Sequence, residues 1–138
     1  MQFARLGIAL LTDNPAASSR FYTEHLGFNP VVDLGWYVSL HHDDHPHHVI
    51  DFVQRGHDSM PERFRGQHPA GLCLAFLVED AAAEEARLRQ EGIQIAEPLR
   101  DEPWGQRRFN VWSPEGVLIE VLQTIEPDHQ WIAAHTTS

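Results

Sequence analysis

The chain contains no lysine. All ten basic residues among its 138 are arginine, set against 20 acidic ones, and the formal net charge is −10. Such a balance repels phosphate backbones, which argues against nucleic acid as a partner, and it favours a cationic small molecule. There is a single cysteine, Cys73, so no intramolecular disulfide is available and the expected compartment is reducing, with the cytoplasm as default. No apolar run approaches the roughly 20 residues of a membrane span, and the opening MQFARLGIALLTDN has too short an apolar stretch, and no small-residue cleavage site, for a secretory signal. No membrane association is expected. Familiar catalytic patterns are missing too: there is no Ser-His-Asp order, nucleophile elbow, phosphate-cradling glycine loop or CxxC, so phosphoryl and acyl transfer are not expected.

What is present suffices for one compact domain with a core of its own, since 42% of the residues are hydrophobic. ARLGIALLTDN alternates like a half-buried strand, and NPAASSRFYTEHLGF behind it carries helix signals. Asn14 can cap, Pro15 suits the first helical position and Gly27 suits a left-handed stop. GLCLAFLVED repeats the strand and AAAEEARLRQEGI the helix, with Asp80 and Gly92 in the corresponding places. More strand follows each helix: WYVSL and HVIDFVQ in the first half, then segments around IQIAEP, RRFNVW and VLIEVLQ in the second, the last two joined by the turn SPEG. One unit is used twice.

Strand parity sharpens the repeat, because successive side chains point to opposite faces. Leu6, Ile8 and Leu10 share one face and Gly7 and Ala9 the other; in the second unit Leu72, Leu74, Phe76 and Val78 oppose Cys73 and Ala75. The bulky face is expected on the helices. The small-residue face implies either close packing against another element or a concave, ligand-sized cavity.

The order of FYTEHLGF after the first helix, EPWGQRRF late in the chain and SPEGVLIEV at its close, within two βαβββ units, resembles the glyoxalase/bleomycin resistance/dioxygenase superfamily, the vicinal oxygen chelate fold, over about residues 3 to 123. The resemblance implies an α+β fold in which two tandem βαβββ modules form a curved, partly open barrel-like sheet around a central cavity. The modules are expected at about 3–55 and 71–123, with a tail at 124–138, in a single domain. It also implies a homodimer, as does the need to cover open sheet edges. The polar tail, with Trp131 and Ile132, is expected to wrap a partner or to fray.

In metalloenzymes similar to this family four inward side chains hold one divalent ion. Carried over position by position, they fall on Gly7, which has no side chain, on Asp51, on Cys73 where histidine is common, and on Glu120, an intact match. Two carboxylates and one thiol are a weak set for zinc or a hard cation, so neither a metal nor another cofactor is expected. The stretch HHDDHPHH, residues 41 to 48, lies between two strands. It reads as a surface hairpin connection with Asp43, Asp44 and Pro46 as turn formers, able to adsorb metal only adventitiously. The scattered His25, His57, His68, His129 and His135 read as surface polar residues.

Extending the parity turns Tyr37, Ser39, Val49, Asp51, Arg108, Asn110, Trp112 and Glu120 toward the cavity, with Trp36 at a strand start and Trp104 in the PWG bend at its rim. Such a lining suits an aromatic or cationic small molecule. The expected function is therefore a metal-free binding protein similar to the antibiotic-sequestering, drug-resistance branch of the family. The alternatives are a metal-dependent glyoxalase or dioxygenase type enzyme, and a metal-free lyase or isomerase with Glu120 or Asp51 as general base.

Overall fold

The computed structural model describes residues 1–137. In the first module β1 (Leu6–Thr12) leads into α1 (Pro15–His25), and the Asn14 side chain accepts the Ala17 N–H at 3.0 Å. Pro15 sits in the first turn, where its missing N–H costs nothing, and Gly27 follows the helix at φ +80°. Then come β2 (Phe28–Asp33), β3 (Tyr37–His42) and β4 (His45–Gln54). A short α2 (Glu62–Arg65), not anticipated from the sequence, precedes the second module. That module repeats the first: β5 (Cys73–Leu77), α3 (Ala81–Gln90), β6 (Glu97–Glu102), β7 (Gln106–Trp112) and β8 (Leu118–Thr124), with Asp80 accepting the Ala83 N–H at 3.0 Å. A last helix, α4 (His129–His135), follows. None of the described helices is long and apolar enough to cross a membrane.

The strands form two four-stranded mixed sheets, ordered β1-β4-β3-β2 and β5-β8-β7-β6, and neither closes into a barrel. In each sheet the module's first and last strands pair in parallel and the other neighbours are antiparallel. The edge strands β2 and β6 carry Pro30 and Pro98 and a register shift each. Proline and bulges blunt an edge against further pairing.

The bulky face of each sheet is the core. In the first unit Leu10, Leu40, Ile50 and Phe52 are buried with Tyr22 of α1, whose ring lies 5.0 Å from Phe52. In the second, Leu74, Phe109, Val111, Ile119 and Val121 are buried with Leu88 of α3. Leu6 departs from the expectation: it is 71% exposed, being the first residue of β1 and paired with exposed His48 at the end of the ladder.

Compactness divides the chain unevenly. Met1–Gly71 and the turn Ser113–Val117 form one unit, and Leu72–Trp112 with the chain from Leu118 forms the other. Within the first unit the Tyr22 hydroxyl and the Ser113 hydroxyl each donate to Glu115 Oε2 at 2.7 Å, all three residues being buried. Burial, and then the Glu115 charge, push the Tyr22 phenol well above its ordinary value.

Two segments differ from the sequence reading. β6 starts at Glu97 rather than over IQIAEP, because the Ile93 N–H is spent on the Leu88 carbonyl at 2.9 Å in closing α3. HHDDHPHH is only partly a turn: Asp43 and Asp44 form it, while His41 and His42 end β3 and His45 to His48 begin β4. Pro46 is a strand residue rather than a turn former, tolerated because the β1 ladder starts only at His48.

Candidate functional site

On the second sheet Ala75, Glu120 and Asn110 stand opposite one another across β5, β8 and β7, and Cys73 and Trp112 both face Leu118. Arg108 lies on this face too, two residues before Asn110, so Arg108 and Glu120 are diagonal neighbours across β7 and β8, within reach of long side chains. Arg108 Nη1 donates to Glu120 Oε1 at 2.6 Å, and Arg108 Nε lies 3.6 Å from Glu102 Oε1. The Glu102 side chain is only 9% exposed and also takes a hydrogen bond from Arg100. The Glu120 hydrogen bond, supported by the charges of Glu120 and Glu102, holds the Arg108 guanidinium even more firmly protonated than usual. Cys73 Sγ lies 3.9 Å from Glu120 Oε2, and burial, then Glu120, push its thiol up, away from the nucleophilic thiolate.

Trp104 completes this cluster. Its ring centroid is 5.3 Å from the Arg108 guanidinium carbon, and its indole N–H donates to Gln106 Oε1 at 2.7 Å. Gly105, at φ +106°, makes the bend, and the tail is tied to it: the Ile125 N–H donates to the Gly105 carbonyl and the Asp128 N–H to the Pro103 carbonyl, both at 2.9 Å. Asp128 caps α4, which sets Trp131 5.8 Å from Trp104 and stacks it on His135 at 4.2 Å. Within the single chain the tail therefore docks on its own module rather than fraying.

On the first sheet the same parity holds. Ala9, Asp51 and Ser39 lie in one cross-strand row, Leu11, Val53 and Tyr37 in the next, and Gly7, Val49 and His41 in a third. Asp51 Oδ1 is buried and has no hydrogen-bond partner among the described residues. The Tyr37 phenol is raised chiefly by burial and further by the Asp51 charge, against a lowering hydrogen bond with Ser39. Trp36 precedes β3 and is engaged elsewhere: its ring stacks on His57 at 3.8 Å with the planes 2° apart.

The structure thus places Trp36, Tyr37, Ser39, Val49 and Asp51 in the first unit and Trp104, Arg108, Asn110, Trp112 and Glu120 in the second. The small-residue positions Gly7, Ala9, Cys73 and Ala75 are exposed, and so is Trp112. Glu102, Gln106, Trp131 and His57 are the contributors that sequence reasoning missed. The first two stood inside the quoted EPWGQRRF; nothing in the sequence tied Trp131 to Trp104, and His57 and His135, read as surface polar residues, each stack on a tryptophan. A shallow groove lined by Leu77, Val78, Glu79, Gln123 and Thr124 contains none of the expected site residues.

These residues do not fit the family's divalent metal. Gly7 offers no donor although the backbone would admit one, since a Cβ there would meet Val49 at an ordinary 3.8 Å. Glu120 already holds a cation, the Arg108 guanidinium. Among the described residues no group of three or more His, Cys, Asp or Glu side chains is arranged to hold a metal ion, the histidine-rich stretch included.

Solved structures share the fold. A glyoxalase/bleomycin resistance protein/dioxygenase from Nocardioides is 21% identical with a TM-score of 0.73, over 91% of this chain and 86% of its own. A virulence protein from Salmonella typhimurium is 25% identical at 0.70, over 91% and 100%. A lactoylglutathione lyase from Agrobacterium tumefaciens is 18% identical at 0.71, over 88% and 94%. No curated protein sequence matches the chain. The family model of the Glyoxalase/Bleomycin resistance protein/Dioxygenase superfamily matches residues 6–121, and with the tandem modules and sheet orders above, the chain belongs to that superfamily.

Proposed function

We propose that this protein binds a flat aromatic small molecule, of the natural-product or antibiotic kind, and holds it chemically unchanged. The observation that carries the reading is the Glu120–Arg108–Trp104 cluster: the carboxylate matching a metal-ligand position is neutralised by a guanidinium lying over an indole. Such a surface offers N–H donors and a π face to a ligand, and it leaves Glu120 poorly disposed to act as a free base. Separately, in the first unit, the unpartnered buried oxygen of Asp51 suits a ligand N–H or a cationic group. A cytoplasmic homodimer is part of the same proposal.

The test is a panel of polycyclic aromatic compounds and bleomycin-type compounds, read by tryptophan emission and by mass spectrometry after long incubation. Quenching that saturates at one ligand per chain, with the compound recovered intact, is expected. Useful sequestration needs sub-micromolar affinity, about −8 kcal/mol or better. Conversion of the compound that disappears in Glu120→Gln would replace binding by catalysis.

One observation favours a second reading, a metal-free lyase or isomerase. Asp51 is a partly buried carboxylate beside Tyr37 and Ser39, a setting in which a general base can work. Turnover that persists with chelator and vanishes in Asp51→Asn would select it.

A further inference from the structure

We infer that Arg108 is a resident counter-ion that closes Glu120 to divalent metal: its guanidinium, held by Glu120 and Glu102 and lying over Trp104, occupies the place a cation would otherwise take on this carboxylate. It rests on the same Glu120–Arg108 contact as the sequestering reading, and metal affinity tests it separately from ligand binding.

Three features make the guanidinium a fixture. It is close, with Nη1 2.6 Å from Glu120 Oε1, while Glu120 Oε2 is approached by the Cys73 thiol at 3.9 Å. It is shared, since the nearly buried Glu102 carboxylate lies 3.6 Å from its Nε. It is oriented, because the Trp104 indole beneath it is fixed by Gln106 and flanked by Trp131. Arginine suits this role where lysine would not, being planar, permanently charged and weakly hydrated. A divalent ion approaching Glu120 meets a like charge already seated there.

Removing the charge should reverse the preference. Without the guanidinium, Glu120 and Glu102 become two poorly solvated carboxylates around one space, with only Arg100 left beside Glu102. Uncompensated like charges in such a setting attract a cation. The substitution is therefore expected to create a metal site in a chain that does not present one at Glu120.

The experiment is a Mn²⁺ titration followed by electron paramagnetic resonance, on the full chain in four forms: wild type, Glu120→Gln, Arg108→Met and the double variant. Mn²⁺ prefers oxygen donors, and any background from the stretch His41 to His48, with its Asp43 and Asp44 carboxylates, is common to all four forms and cancels in the comparison. The wild type should bind no more tightly than Glu120→Gln. Arg108→Met, which keeps the aliphatic stem on Trp104, should bind one ion per chain at least ten-fold more tightly than wild type, and the double variant should lose that gain. If Arg108→Met fails to fold by circular dichroism, Arg108→Gln replaces it with the same expectation. Stoichiometric wild-type Mn²⁺ that Glu120→Gln removes overturns the inference, as does the absence of any gain in a folded Arg108 variant. Either result would leave the outcome of the aromatic-compound panel unaffected.

Discussion

The Gly105 carbonyl accepts the Ile125 N–H at 2.9 Å, so the bend that carries Trp104 and the segment leading to α4 are held as one piece. A Cβ on Gly105 would stand 3.1 Å from the Ile125 oxygen and 3.3 Å from Pro127 Cβ, at a φ of +106° that side chains avoid. Gly105→Ala is expected to destabilise the chain by about 1–3 kcal/mol in urea unfolding. It should also speed hydrogen exchange at the Ile125 and Asp128 amides. Unchanged exchange there would mean the tail is held by something other than this bend.

Tyr22 predicts an alkaline limit. Its folded phenol sits above the ordinary value of 10.0, so the neutral form is favoured in the native state. A raised acid of this kind contributes stability that is fully present below the unfolded pKa and is lost as pH climbs from about 10 toward the folded value. Stability measured between pH 9 and 12 should fall for this reason. Tyr22→Phe should flatten that slope while costing about 1–3 kcal/mol at neutral pH, because Glu115 loses a donor in a buried place. Equal slopes in both proteins would count against the assignment.

For the proposed ligand the variants divide by chemistry. Trp104→Ala should weaken binding through lost stacking, about 0.5–1.5 kcal/mol or two- to ten-fold in Kd. Trp112→Ala should do so by less, since that ring is 59% exposed. Asp51→Asn tests the first unit by itself, and should spare neutral ligands while weakening cationic ones. Isothermal titration with a matched neutral and cationic pair separates these effects, and a uniform loss across the pair would point to damage to the fold.

The antiparallel edges of the two sheets give this chain little need of a partner. Pro30 and Pro98 and the accompanying register shifts already blunt the two antiparallel edges, β2 and β6, so a dimer is not needed to cover them. For the proposed homodimer, light scattering at micromolar concentration is expected to give twice the chain mass. A monomer would remove the dimer from the proposal and leave the binding test as it stands.

Parity made much of this legible. That Ala9, Asp51 and Ser39 share a face, and that Ala75, Glu120 and Asn110 share one, follows from alternation along strands whose buried faces are unambiguous. The caps at Asn14 and Asp80 were equally readable, because a local hydrogen bond decides them. What escaped was tertiary. Alternation identifies Arg108 and Glu120 as facing the same way, but only register makes them diagonal neighbours, and only the tail's return places Trp131 against Trp104. The proline in HHDDHPHH suggested a turn by propensity, and the missing ladder partner overrode it.

The partnership of Tyr22 with Glu115 spans 93 positions, and this sets an order on folding. As the chain leaves the ribosome from its N-terminal end, the first unit's helix and sheet are complete long before Ser113–Val117, the turn that belongs to the same unit, exists. Val117, fully buried, and the Glu115 carboxylate then arrive late to a core that has been waiting with an unsatisfied phenol. Contacts so distant in sequence slow folding. A fragment ending at Gly71 is therefore expected to behave as a collapsed, incompletely packed species, because the turn that completes its unit is made more than forty residues later.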